Sequence, residues 1–231
     1  MPVSRSASNT PGFLRSFPYF SSLGPDELAG LAAEVVIREY GKGELVALEG
    51  EPCRGLCLVR AGRVRVFKTS PDGRTQVLSM AGPGESFNEV PNFDSGPNPA
   101  SVEALEPTTI FLLRRETVLR AVERYPSVAL AMLNVFARRL RHLTGVVEDL
   151  SFRHVTSRLA KVLLQYAAEP APGRGESGLT QRLTQQEMAA IVGTAREMVG
   201  RSLKALEAQG ALRVERNRII ILNRDLLERI V

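Results

Sequence analysis

Four residues in the last third of the chain, Arg196, Glu197, Gly200 and Arg201, fall at helical spacings i, i+1, i+4 and i+5. That spacing puts two guanidinium groups, a carboxylate and a bare backbone position on one outward face. A glycine inside a helix costs about 0.8 to 1.0 kcal/mol against Ala, which makes sense where the face must approach another surface closely. Charge indicates what kind of surface. Basic and acidic residues number 17 and 17 over residues 1–150 but 13 and 8 over residues 151–231, so the whole net charge of +5 lies in the last third. A neutral front and a basic back are expected when only the C-terminal part meets a polyanion, since phosphate contacts by Arg and Lys supply sequence-independent nucleic-acid affinity. A solvated basic surface would give the same totals.

Other chemistries find little support. There is no nucleophile motif, no Walker loop and no Gly-rich dinucleotide fingerprint. The two cysteines, Cys53 and Cys57, make no disulfide framework and suit a reducing cytoplasm. An iron-sulfur cluster would need four thiolates. Haem would need an axial donor from His142, His154, Cys53 or Cys57, for which the plain alternatives are a solvated imidazole and a small buried apolar thiol. No metal site and no cofactor are assigned. The longest apolar runs, such as Val128 to Leu133, fall far short of the ~20 residues that span a bilayer. The opening MPVSRSASNTPGF lacks an apolar core before a cleavage site, so the expected location is cytoplasmic.

The elements that position the face follow from patterning. At 231 residues and 44% apolar content the chain can bury a core in one large domain or two modest ones. From about Val35 to Leu113 it reads as short strands broken by turns, with Val64, Val66 and Lys68 alternating against Arg63, Arg65 and Phe67, and Pro71-Asp72-Gly73 marking a hairpin. Such spacing predicts a sandwich or jelly-roll barrel; a jelly roll can also host metalloenzymes, but both histidines lie outside the expected strands. A helix follows from about Pro126 to Leu150, with Leu133, Phe136, Leu140, Leu143, Val147 and Leu150 forming a heptad seam suited to a homodimer. A helix packed on its own barrel would show a related pattern.

After a second helical run, Val155 to Ala168, and the Pro/Gly-rich loop EPAPGRGESG, two helices flank a tight turn. Thr184 with Glu187, and Thr194 with Glu197, read as capping boxes, and Gly193 permits the turn between them. Met198, Leu203 and Leu206 are expected to face inward. The segment ALRVERNRIIIL alternates and turns at Arg216-Asn217-Arg218, giving a small basic wing. The predicted fold class is α+β: a tail over residues 1–16, a barrel over 17–125, a dimerisation helix over 126–152 and a winged helix-turn-helix over 153–231.

In that order the residues resemble the CRP/FNR superfamily of bacterial transcription regulators, over roughly residues 17–231. LTQQEMAAIVGTAREMVGRSLKALEAQG looks like the family's helix-turn-helix, and GPGESFNEVPNFDSGPNPAS like the phosphate-binding cassette of its sensor barrel. The resemblance implies a homodimer that binds double-stranded DNA at palindromic promoter sites and is not an enzyme. It implies base contacts by Arg196, Glu197 and Arg201 to a TGTGA-like half-site, in agreement with the bidentate fit of Arg to guanine and of a carboxylate to the cytosine amino group. Gln185, Thr194 and Gly200 fall on the implied DNA face, and Arg216 and Arg218 on the wing suit phosphates. The loop from about Ala167 to Gly178 corresponds to a family contact with RNA polymerase. Glu197 could instead serve only its cap, and the winged domain could be a module for protein contacts fed by a ligand or haem.

The cassette departs from the cyclic-nucleotide pattern. Where cyclic-AMP binders carry Gly-Glu-Leu and Arg-Ser-Ala, this chain has Asn88-Glu89-Val90 and Pro99-Ala100-Ser101, and Leu143-Thr144 stands for the Thr-Ser pair that touches adenine. Without the guanidinium a desolvated phosphate loses its bidentate partner. The expected effector pocket of Asn88, Glu89, Asn98, Ala100, Ser101, Leu143 and Thr144 is therefore not a cyclic-AMP site.

Overall fold

The structure, a computed structural model, describes residues 10–167, 177–179, 183–215 and 218–231. Two compact units divide the chain: residues up to Lys68 together with Leu78–His142, and Thr69–Val77 together with Leu143–Val231. The division falls inside the long helix rather than at either of its ends.

The expected jelly roll belongs to the first unit except for the tip of one hairpin, Thr69–Val77. Its strands are β1 (Val36–Tyr40), β2 (Leu45–Ala47), β3 (Leu56–Ala61), β4 (Val64–Thr69), β5 (Thr75–Ala81), β6 (Ser86–Phe87), β7 (Ser101–Ala104) and β8 (Thr108–Leu113). They form two four-stranded sheets, ordered β1-β8-β3-β6 and β2-β7-β4-β5. The β4–β5 hairpin turns where expected, with Gly73 at φ 80° and its N–H donating to the Ser70 carbonyl at 2.8 Å. Val59, Val64, Phe87, Val102 and Ile110 fill the barrel. The strict alternation expected along β4 fails at Phe67, which is buried while Val66 is half-buried. The outer face there is not bare, because the Arg65 guanidinium lies 4.9 Å from the Phe67 ring and pairs with Glu103 at 2.8 Å.

Helices close the barrel. They are α1 (Thr10–Arg15), α2 (Pro25–Ala33), the short α3 (Pro91–Asp94), α4 (Arg115–Arg124) and the start of α5 (Pro126–Phe152). The expected tail over residues 1–16 is corrected from Thr10 onward. Leu14 and Phe17 are fully buried with Phe20, Leu28, Leu56, Phe111 and Val128, so apolar burial converts that stretch into part of the core. On α5, Val128, Met132 and Val135 recur at spacings of 4 and 3 and face this core. Phe136, expected on the dimer seam, instead packs partly against the same core and meets Phe93 edge-on at 5.7 Å.

The second unit contains the rest of α5, α6 (Val155–Gln165), β9 (Ser177–Gly178), α7 (Gln185–Val192), α8 (Arg196–Ala208), β10 (Leu212–Glu215), β11 (Arg218–Ile221) and α9 (Arg224–Ile230). The three strands are ordered β10-β11-β9, and Glu215 opposes Arg218 across the wing. Leu159, Leu163, Met188, Val192, Val199, Leu203, Leu206, Ile221 and Leu227 build its core. The C-terminus of α5 is capped by Arg158, whose Nη1 donates to the carbonyls of Arg153 at 3.1 Å and Asp149 at 3.3 Å. The Asp149 carboxylate accepts from Arg153 at 2.9 Å and Lys161 at 2.5 Å, which fixes the entry into α6. Among the described residues no helix is long and apolar enough to cross a membrane.

Candidate nucleic-acid interface

The helix-turn-helix is built by local chemistry. Thr184 caps α7 through its Oγ1, which accepts from the Glu187 N–H at 3.1 Å, while Glu187 accepts from the Thr184 N–H at 2.6 Å. At the other end Gly193 sits at φ 72°, a left-handed conformation that glycine adopts without steric cost, and the chain reverses into α8. The second expected capping box does not form. Ala195 is the N-cap of α8 without a side-chain cap, and the Thr194 N–H donates back to Ala189 at 3.0 Å, so Thr194 belongs to the turn. Glu197 is thereby left without a capping role.

Burial orients α8. Val199, Leu203 and Leu206 face inward, and Ser202, buried with them, bonds Thr156 of α6 at 3.1 Å. Met198 was expected inward but is exposed; Val199, one residue on, lies a full helical turn before Leu203 and takes that place. The opposite side presents Arg196, Glu197 and Arg201, all exposed, with Lys204 extending the same face at spacing i+3 from Arg201. Lys204 was legible from that spacing but formed no part of the expected set. Arg196, Glu197, Arg201 and Lys204 make no hydrogen bond or ion pair among the described residues.

Gly200 lies at the centre of this face. A Cβ built there would meet only Gln185 Oε1, at 3.7 Å, an ordinary contact. The protein's own packing does not require glycine at 200, and the same geometry puts Gln185 of α7 beside the α8 face. Thr194 is half-buried in the turn, and Arg218 is exposed at the start of β11. Arg216 lies outside the described residues, as does most of the loop from Ala167 to Gly178.

The cassette residues divide differently from expectation. Glu89 is 2% exposed, and its carboxylate is engaged by Arg139 of α5 and by the Tyr19 hydroxyl at 3.0 Å. Arg139 also donates to the Ser86 carbonyl, and Tyr19 lies 2.7 Å from Ser86 Oγ. Burial, with the neighbouring Glu89 charge, pushes the Tyr19 phenol well above its ordinary range, so it remains a donor. Ser101 Oγ accepts from the Glu49 N–H at 3.1 Å, and Ala100 is buried. Asn88, at φ 61°, donates to Asn98 Oδ1 at 3.2 Å, and these two line a cavity of which Glu89, Ala100 and Ser101 are not lining residues. Leu143 and Thr144 belong to the second unit. Sequence reasoning missed Arg139 and Tyr19, which reach Glu89 across 50 and 70 residues. His142 Nε2 donates to the Leu78 carbonyl at 3.0 Å, and Cys57 is buried on β3.

Comparison with known proteins agrees with both units. Residues 37–125 match the cyclic nucleotide-binding domain and residues 157–230 the Crp-like helix-turn-helix domain. The chain is 33% identical over 217 residues to the cyclic AMP receptor protein of Thermus thermophilus, covering 94% of this chain and 98% of that one. It is 31% identical over 211 residues to the CRP-like cAMP-activated global transcriptional regulator of Mycobacterium tuberculosis, covering 91% and 94%. Among solved structures it is similar to the c-di-GMP responsive global regulator CLP of Xanthomonas campestris, with a TM-score of 0.75 and 26% identity over 86% of this chain and 99% of that one. The chain belongs to the CRP/FNR family. It is a DNA-binding transcription regulator and not an enzyme.

Proposed function

We propose that the protein works as a homodimer joined along α5, binding palindromic operators through α8 and answering to an effector other than cyclic AMP. The observation that carries the DNA reading is the unpartnered set Arg196, Glu197 and Arg201 around Gly200, a bare position that intramolecular packing does not demand. Arg196 and Arg201 read guanine edges bidentately, and Glu197, free of a capping role, accepts from a cytosine amino group. Gln185 and Thr194 flank that contact, while Arg218 and Arg216 neutralise phosphates from the wing. The dimer reading rests on Leu133, Leu140 and Val147, each between 61 and 67% exposed at heptad spacing, with Leu143 and Leu150 beside them. A two-fold axis then requires half-sites about one helical turn, ~34 to 36 Å, apart.

The relatives from Thermus thermophilus and Mycobacterium tuberculosis are both named for cyclic AMP, but the residues of this chain do not suit that effector. Pro99 and Ala100 supply neither the cation nor the hydroxyl that would hold a cyclic phosphate, and both oxygens of Glu89 are already engaged, by Arg139 and Tyr19. The loop from Ala167 to Gly178 is the surface for RNA polymerase by family correspondence. Operator selection from random duplexes, followed by anisotropy titration, tests the DNA reading. Arg201→Ala should cost roughly 1 to 3 kcal/mol at the selected site and relax preference at one base, whereas Arg218→Ala should weaken all sequences alike and reduce the salt slope by about 1. No palindrome in the selection, or undiminished preference in Arg201→Ala, refutes the assignment.

A further inference from the structure

We infer that the barrel carries a binding site away from Glu89, at the β1–β2 end and bordered by Asn88 and Asn98 of the cassette, which takes a small organic anion of single charge with an apolar body. A cavity of about 230 Å³ opens there, bounded by β1, β2, β3 and β8 and by the Asn88–Asn98 amide pair. Its walls are apolar at Val46, Ile110 and Leu112, and Leu45 and Leu48 carry that character outward, being 51 and 46% exposed. The volume is below the ~300 to 1,000 Å³ of sites for drug-sized ligands. At roughly 30 Å³ for each water displaced, it holds on the order of eight non-hydrogen atoms.

Charge sets the ligand class. Arg38 and Arg54 line this cavity, and neither has an ion-pair or hydrogen-bond partner among the described residues. The contrast within the same unit is informative, since Arg65, Arg120 and Arg139 each hold a carboxylate. Glu51 is the one carboxylate among the described residues that line the cavity, so the lining carries a net single positive charge. The two other titratable groups there, Tyr40 and Cys57, are both pushed upward chiefly by burial, so each stays neutral at pH 7. An uncharged apolar ligand would leave both guanidinium groups unused, and a dianion would exceed the fixed charge. A carboxylate on a short aromatic or aliphatic body satisfies the arginines at the mouth and the apolar wall behind them. Asn88 and Asn98 add amide groups that can orient the head.

The site rests on the barrel alone, so its test does not depend on how the DNA reading fares. Benzoate and hexanoate are the probes, with benzamide as the uncharged match for benzoate, titrated into the full chain by calorimetry and by thermal shift. At least one carboxylate should bind saturably and raise the melting temperature, with benzamide at least tenfold weaker. Arg38→Met with Arg54→Met, both surface substitutions, should weaken the carboxylate at least tenfold while circular dichroism stays unchanged, and Ala47→Phe should block it by filling the cavity. Cyclic AMP should not compete. Absence of binding by either carboxylate up to about 10 mM overturns the proposal, that range allowing for the weak affinity of so small a ligand. Equal affinity for benzamide, undiminished binding by the double variant, or displacement by cyclic AMP would overturn it equally.

Discussion

Gly200→Ala separates the two demands on α8, because the stability of the free protein and affinity for DNA should move in opposite directions. Gly200 lies in the interior of a 13-residue helix, where Ala is favoured by about 0.8 to 1.0 kcal/mol. Nothing offsets that gain, since the new Cβ would meet only Gln185 Oε1 at 3.7 Å. A change of about 1 kcal/mol corresponds to roughly 4 to 8 °C if the second unit melts alone, or about 2 to 4 °C if the chain melts as one. Against DNA the same methyl group enters the space between two guanidinium groups that must reach base edges. Overpacking of a close contact costs about 1 to 3 kcal/mol, or roughly 5- to 150-fold in Kd. Calorimetric melting of the free protein and anisotropy titrations on the selected operator would read both effects. A variant that is stabilised yet binds its operator with unchanged affinity would show that this face does not approach DNA, and one that is not stabilised would refute the packing argument.

The seam of α5 can be tested by Leu140→Glu with Leu143→Glu, which would bring like charges together across the dimer at a cost of several kcal/mol; the variant should sediment as a monomer, and an unchanged dimer mass would contradict the reading. Arg139→Met should be strongly destabilising, by about 3 to 5 kcal/mol, because it leaves the buried Glu89 carboxylate without its cation, and adding Glu89→Gln should recover much of that loss; a double variant as unstable as the single one would mean the pair is not the cause. The Glu34 carboxyl is held below the usual range first by the Thr117 hydroxyl at 2.6 Å and then by Arg120 at 2.5 Å. Its depressed value stabilises the fold at neutral pH and the contribution is lost as pH falls through that value, so Glu34→Gln should flatten the acid limb of a stability–pH curve. An unchanged limb would remove Glu34 from the acid transition.

What the sequence revealed and what it withheld follow from contact distance along the chain. The cap of α7 joins Thr184 to Glu187, three residues apart, and the turn needs only Gly193, so both were legible. The second cap failed although its letters were the same, because the Thr194 N–H was already bound to Ala189 and the helix began two residues later. Met198 and Val199 differ by a single 100° step, and composition does not choose between two adjacent apolar residues; the positions of Leu203 and Leu206 against α6 and α7 do. The heptad on α5 was legible as a period but not as two faces, and Phe136 shows why: its partner Phe93 comes from the cassette, which no periodicity along α5 can reveal.

Glu89 is the sharpest instance, and it changes how the cassette is understood. In the sequence its retention beside the lost Arg and Ser positions looks like the remnant of a ligand site. In the fold it is a buried acceptor between three segments distant in the chain, Tyr19 before the barrel, Ser86 and Glu89 within it, and Arg139 on α5. Burying a carboxylate to that degree is costly unless a cation and hydrogen bonds offset it, so once Arg139 and Tyr19 supply them, a structural demand alone suffices to keep it. Both Glu89 oxygens are engaged, Oε1 by Tyr19 and Oε2 by Arg139, so a ligand hydroxyl is not needed to satisfy the carboxylate. Loss of the phosphate-binding residues and retention of the carboxylate are therefore consistent with each other, and both direct the search for an effector away from Glu89.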